Sequence, residues 1–457
     1  MWHPMMIFER THGKIAFANI SSLSLVMALV LASCNGASQS FAPPLTHNSG
    51  YSLAGSQLPT PIQHIVIIFQ ENRTPDNLFQ GLPGADIADT AVDSNGDVVP
   101  LHMTSLKVPW DLGHGHESFV RDYDNGKMDG FDRGFQPKFH LRPFAYAPRF
   151  EVQPYFDMAR QYVFGDRMFQ SNQGPSFPAH LYIVTGTATD PSILAYRVST
   201  NFAQPPAKPM SPGCDAPSSD TVLTINPSDG SAGPMPFPCF DRPALSDFLD
   251  SQHVTWRYYQ HNKKAGLWHA FDAIRHVRYG ADYANVIDPP ETILTDISKG
   301  RLAGLSWVMP DSAHSDHAGI GSGAEGPSWV AAVVNAVGKS KYWQNTAIFV
   351  TWDDWGGWYD HVSPPIVNHY ELGFRVPLLV ISLYAKRGYV SKATHEFGSI
   401  LAFSEETFGI PKGSLKTTDR RADDLSDAFD YTQQPRPFVP IKAPPFQPSK
   451  APYIEDP

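Results

Sequence analysis

The chain has 457 residues, 42% hydrophobic and 18% charged, with a formal net charge of −10. That length exceeds one small core and suits a large α/β domain with insertions. The acidic balance argues against a nucleic-acid partner, and 42 prolines with 34 glycines point to long irregular loops over a regular scaffold.

The first 34 residues read as a targeting segment rather than as fold. Ile20 to Ala32 is a short run of apolar and small residues behind Arg10 and Lys14, too short for a stable span and suited to a secretory h-region. It ends in Leu31-Ala32-Ser33-Cys34, which resembles the lipobox of bacterial lipoproteins. Two outcomes follow: a lipidated Cys34 that attaches the protein to a membrane, or ordinary cleavage and release. Either way the expected location is periplasmic or extracellular. Residues 35–60 are rich in Ser, Gly, Pro and Asn and read as a linker.

The body, 61–432, opens with a buried strand at His64–Phe69 that runs into Gln70-Glu71-Asn72-Arg73. A loop region follows, with Asp111, His114, His116 and Glu117, and then a turn-like run from Asn125 to Phe131. Helical spacing covers Tyr155 to Met168, with a strand or buried turn expected over Val163–Phe169. Gly174-Pro175-Ser176 is a helix start, and Ser176 and His180 share a face of that helix.

Residues 200–238 form a polar insertion. An exported chain lives where disulfides persist, so Cys214 and Cys239 are expected to close this loop. A helix and a strand are expected between Leu245 and Tyr259, and a strand over Leu302–Met309 that ends at Pro310, Asp311, His314, Asp316 and His317. After a helix over Trp329–Val337 comes the strand Ala347–Trp352. It stops abruptly at Asp353-Asp354, Gly356-Gly357 and Asp360-His361. A strand over Val376–Leu383, a helix over His395–Phe408 and a Pro-rich tail, 433–457, complete the chain. Strands alternating with helices predict a three-layer α/β/α sandwich with a central, mostly parallel sheet.

Carboxylates just past buried strands lie where open α/β sheets bind their ligands. Adjacent carboxylates repel, and a cation is their natural partner. A helix-start hydroxyl, oxygen ligands after separate strands and nearby histidines together supply a nucleophile, a metal site and donors for a transferring phosphoryl group.

The segments HIVIIFQENRTPDNLF, DLGH, NGKMDGF, GPSFPAHLYIVTGT, SWVMPDSAHSDHAG, TAIFVTWDDWGGWYDHVSPP, GFRVPLLVISLYAKRGYV and RADDLSDAFDY occur in that order. Together they resemble the bacterial phosphoesterase family of phosphatidylcholine-type phospholipases C and acid phosphatases, within the alkaline-phosphatase superfamily. The resemblance implies an alkaline-phosphatase-like fold and a serine nucleophile at Ser176. It implies metal ligands at Glu71, Asn72, Asp353 and Asp354, with His114, His317 and His361 around the phosphate. Ala179 stands where the family often has Asn, and Asp353-Asp354 where many relatives have Asp-Glu. Oxygen-rich ligation favours Mg²⁺, Ca²⁺ or Mn²⁺, with Zn²⁺ and iron left open by the histidines.

The resulting expectation is a metal-dependent phosphoric ester hydrolase acting on a small phosphate ester or a phospholipid. A phosphatase with an acidic optimum comes first, and a phospholipase C-type phosphodiesterase is the alternative. Outside enzymes, the alternative is a lipid-anchored protein that binds phosphate groups or lipids. A sulfatase relative is disfavoured, because His180 stands where that group's Cys/Ser-x-Pro-x-Arg motif requires Arg.

Overall fold

The structure, a computed structural model, describes residues 60–201, 212–263, 266–319 and 325–449. The targeting segment with Cys34, the linker up to residue 59, part of the 200–238 insertion and the last residues of the tail lie outside the described residues.

Eight segments pair into one sheet: β1 (His64–Gln70), β2 (Val163–Gly165), β3 (Trp256–Tyr259), β4 (Val286–Ile287), β5 (Leu305–Val308), β6 (Thr346–Trp352), β7 (Leu378–Ser382) and β8 (Tyr389–Ser391). Their spatial order is β4-β3-β5-β1-β6-β7-β2-β8. Every pairing is parallel except those of β7, which runs antiparallel to both β6 and β2. The two central strands are buried along nearly their whole length, as apolar runs covered on both faces must be.

Six helices matter for the site: α1 (Pro75–Leu78), α2 (His116–Tyr123), α3 (Arg149–Gln161), α4 (Ser176–Thr185), α5 (Glu325–Gly338) and α6 (Phe397–Thr407). The register shows that they cover both faces. Gln70 pairs with Trp352, so these two side chains share a face and Phe69 points to the other. Trp352 packs edge-on against Tyr155 of α3, while Phe69 packs against His180 of α4 and Phe397 of α6. The three-layer α/β/α sandwich with a mostly parallel sheet is therefore observed.

Several elements are shorter than their sequence patterns. β7 begins only at Leu378, after Pro377, which has no N–H to give to a ladder. The helix expected from His395 begins at Phe397, because His395 and Glu396 pair with Met168 and Phe169. Cys214 and Cys239 form a disulfide, as expected. The described part of the tail is packed: Phe438 lies against Trp343 and Phe446 against Trp329. No helix among the described residues is long and apolar enough to cross a membrane.

Candidate functional site

Two loops leave the carboxyl ends of the central strands and are tied together there. The backbone N–H of Asp353 donates to the Gln70 carbonyl at 2.9 Å, and that of Asn72 donates to Asp353 Oδ1 at 2.9 Å. Asn72 turns the chain with φ +60°, a conformation that Asn tolerates better than most residues. Gly356 has φ +62°, and a Cβ there would lie 2.3 Å from the Asn72 carbonyl oxygen, so the close approach of the loops demands glycine.

This clamp gathers Glu71, Asn72, Asp353 and Asp354, all fully buried. Asp353 Oδ2, Asp354 Oδ2 and Asn72 Oδ1 have no hydrogen-bond partner among the described residues. Buried carboxylate oxygens without partners are costly unless a cation or proton meets them. The Asp354 carboxyl is pushed well above the usual range, by burial first and by the adjacent Asp353 second. The donor set fits a divalent cation.

α4 brings its own groups to the clamp. His180 Nε2 lies 3.0 Å from Glu71 Oε1, with both side chains fully buried. Burial drives the His180 pKa well below its ordinary value, and His269 acts in the same direction. The ring is therefore neutral, and the contact is a hydrogen bond to a carboxylate rather than an ion pair. Ser176 is the first residue of α4, one turn before His180. Its Oγ is fully buried and has no hydrogen-bond partner among the described residues.

His114 and His317 lie beside each other, with ring centroids 5.5 Å apart. Each has its Nδ1 against a backbone carbonyl, Leu112 at 2.7 Å and Ala318 at 2.6 Å. Donation from Nδ1 turns Nε2 inward in both rings, and His114 Nε2 meets Asn72 Nδ2 at 3.1 Å. Both histidines also bear electrostatically on Asp354.

His361 is placed differently. Its Nδ1 meets Asp76 at 2.8 Å and its Nε2 meets Asp86 at 3.0 Å. Both ring nitrogens are thus spent on carboxylates, in a network continued by Arg375, Asp360 and Asp166. Burial opposes the charge on His361, but Asp76 overcomes it and lifts the pKa to about 9.

Among the described residues, four clusters have the spacing to hold a metal ion: Glu71/His180/Asp353, Asp111/His114/His317, Asp76/Asp360/His361 and His395/Asp423/Asp427. The first joins two of the four expected ligands, Glu71 and Asp353, to His180, which the resemblance did not assign. The signal was present, since Ser176 and His180 share a helix face. Asp316, by contrast, turns into the protein, with its carboxylate held by Tyr155 and Trp352.

Buried oxygen ligands just past the carboxyl ends of parallel strands lie where α/β sheets bind their ligands, and here they form a candidate site for a cation. The family description that fits this chain is the Phosphoesterase family, which matches residues 62–411. The chain belongs to that family.

It is similar to the non-hemolytic phospholipase C of Pseudomonas aeruginosa, at 24% identity over 83% of this chain and 59% of that protein. It is also similar to phospholipase C A of Mycobacterium tuberculosis, at 23% identity over 82% of this chain and 78% of that one. The chain thus spans about three-fifths of the length of the Pseudomonas protein. Among solved structures, a protein of the alkaline phosphatase superfamily from Vibrio parahaemolyticus matches with a TM-score of 0.35 at 12% identity, over 80% of this chain and 71% of that one.

Proposed function

We propose that the chain is a metal-dependent phosphoric ester hydrolase in which Ser176 is the nucleophile and carries a phosphoseryl intermediate. The observation that carries this reading is the fully buried, unpartnered Ser176 Oγ, at a helix start one turn from the residue that holds Glu71. Membership of the Phosphoesterase family and the likeness to phospholipases C support it.

Glu71, Asn72, Asp353 and Asp354 would hold the cation. A divalent ion there supplies positive charge that offsets the carboxylates and favours ionised serine. The serine oxygen attacks phosphorus and the ester oxygen departs, taking a proton from the imidazolium form of His317 or His114, which keeps its Nδ1–H bonded to the backbone. Water then cleaves the phosphoseryl ester and returns the hydroxyl. The N–H groups at the start of α4 give donors for the phosphoryl oxygens.

The leaving group divides the reading in two. His114 and His317 in their protonated forms, with a helix N-terminus, supply donors suited to a monoester dianion, so a phosphatase comes first. The relatives, named as phospholipases C, favour a phosphodiester. Comparing kcat/KM for an aryl phosphate and for phosphatidylcholine in mixed micelles, with metal analysis of the same sample, tests both. Hydrolysis of neither by metal-loaded protein overturns the enzyme reading. A lipid preference above about tenfold puts the phospholipase C reading first.

A further inference from the structure

The opposite edge of the sheet carries a second feature. A cleft of about 540 Å³ lies between the helix Thr292–Ser298 and α5, floored by Leu294, Ile297 and Ala336 and ringed by Lys299, Lys339 and Lys341. All three lysines are exposed. The neighbouring Arg301 is paired with Asp296, whereas none of the three lysines has an ion-pair partner among the described residues. Three uncompensated cations around an apolar floor, on a chain of net charge −10, form a marked local reversal of sign.

The position of the cleft in the fold is well defined. Lys341 opens the turn that leads into β6, and Lys299 lies shortly before β5. These are the amino ends of parallel strands whose carboxyl ends lead to Asp353 and His317. β1 spans seven residues between the two edges, about 20 Å at strand rise. The described chain also enters on this edge: Gln63 N–H donates to the Asn345 carbonyl at 2.8 Å, and His64 packs against Tyr342, with ring centroids 4.7 Å apart.

We propose that the cleft ringed by Lys299, Lys339 and Lys341 docks the headgroups of anionic phospholipids, so that this edge of the sheet faces a membrane. Lysines near an anionic surface draw the protein to it, and the apolar floor offers contact to the methylenes that adjoin the headgroup. Docked this way, the edge bearing Ser176 and Asp353 faces away from that bilayer. The inference rests on the phosphatase reading, because an enzyme that cut lipids of the same bilayer would have to turn that edge toward it.

The test is vesicle flotation of the full chain, with phosphatidylcholine alone and with about one-third phosphatidylglycerol. The comparison is with a variant combining Lys299→Ala, Lys339→Ala and Lys341→Ala, and with the corresponding triple arginine variant. At roughly fivefold per lysine, the alanine variant should lose on the order of 100-fold in partitioning to the anionic vesicles. The arginine variant should retain it, and aryl phosphate turnover should be unchanged in both. Equal binding of wild type and alanine variant to anionic vesicles overturns the proposal. So does lysine-dependent binding of soluble glycerol 3-phosphate without lysine-dependent flotation, which would make the cleft a small-molecule site.

Discussion

Replacing His180 probes the link between the nucleophile's helix and the cation site. The neutral imidazole donates to Glu71 Oε1 at 3.0 Å in a fully buried setting. His180→Ala removes that donor and leaves a buried carboxylate oxygen without it. A hydrogen bond to a charged group contributes about 1.5–3 kcal/mol, in line with the roughly 10–100-fold loss of metal affinity seen when residues that orient metal ligands are changed. The T-shaped packing of His180 on Phe69, with ring centroids 4.8 Å apart, is lost as well, so a fall in thermal stability should accompany the change. His180→Gln can offer an amide N–H to the same oxygen and should recover most of the affinity. The assay is calorimetric titration of metal-stripped protein with Mg²⁺, Mn²⁺ and Zn²⁺, with kcat/KM measured at saturating metal. Unchanged metal affinity in a folded His180→Ala protein would refute the positioning role.

Three further outcomes are expected. Asp353→Asn and Asp354→Asn should each lower bound metal and activity together, read by elemental analysis and aryl phosphate turnover; full activity in a demonstrably metal-free sample sinks the ligand assignment. Reducing Cys214–Cys239, which closes a loop of 25 residues, should lower unfolding stability by about 3 kcal/mol in denaturant titrations with and without reductant. His361, with its pKa raised from 6.5 to about 9, stabilises the fold fully below 6.5 and loses that contribution as pH rises through 9. With the side chain 26% exposed, about 1–2 kcal/mol after solvent screening is expected. The stability gap between wild type and His361→Asn should therefore close at alkaline pH, and a gap that widens there contradicts the ion-pair reading.

The sheet was legible because β1 and β6 are unbroken apolar runs, and only strands buried on both faces look so. The polar residues at their ends stood out by contrast, and the structure gathers Glu71, Asn72, Asp353 and Asp354 in one clamp. Pattern could not show where His361 would turn. It sits a few residues past Asp354, but its ring is captured by Asp76 and Asp86, far away in sequence. Long-range capture of this kind leaves no local periodicity. The same holds for His314, which loses its apparent availability to Asp311 and to the carbonyl of Gln447 in the packed tail. The cleft at the amino edge was equally invisible, because Lys299, Lys339 and Lys341 come together only through the packing of two helices.

The central claim is that the Ser176 Oγ is the atom that takes up phosphate. Acid-quenching the enzyme during turnover of an aryl phosphate, followed by peptide mass spectrometry, tests it directly. Phosphate is expected on the peptide bearing Ser176 and none in Ser176→Ala, whose rate should fall by several orders of magnitude. Phosphate on another residue, or a Ser176→Ala protein that retains more than about a tenth of the wild-type rate, would contradict it.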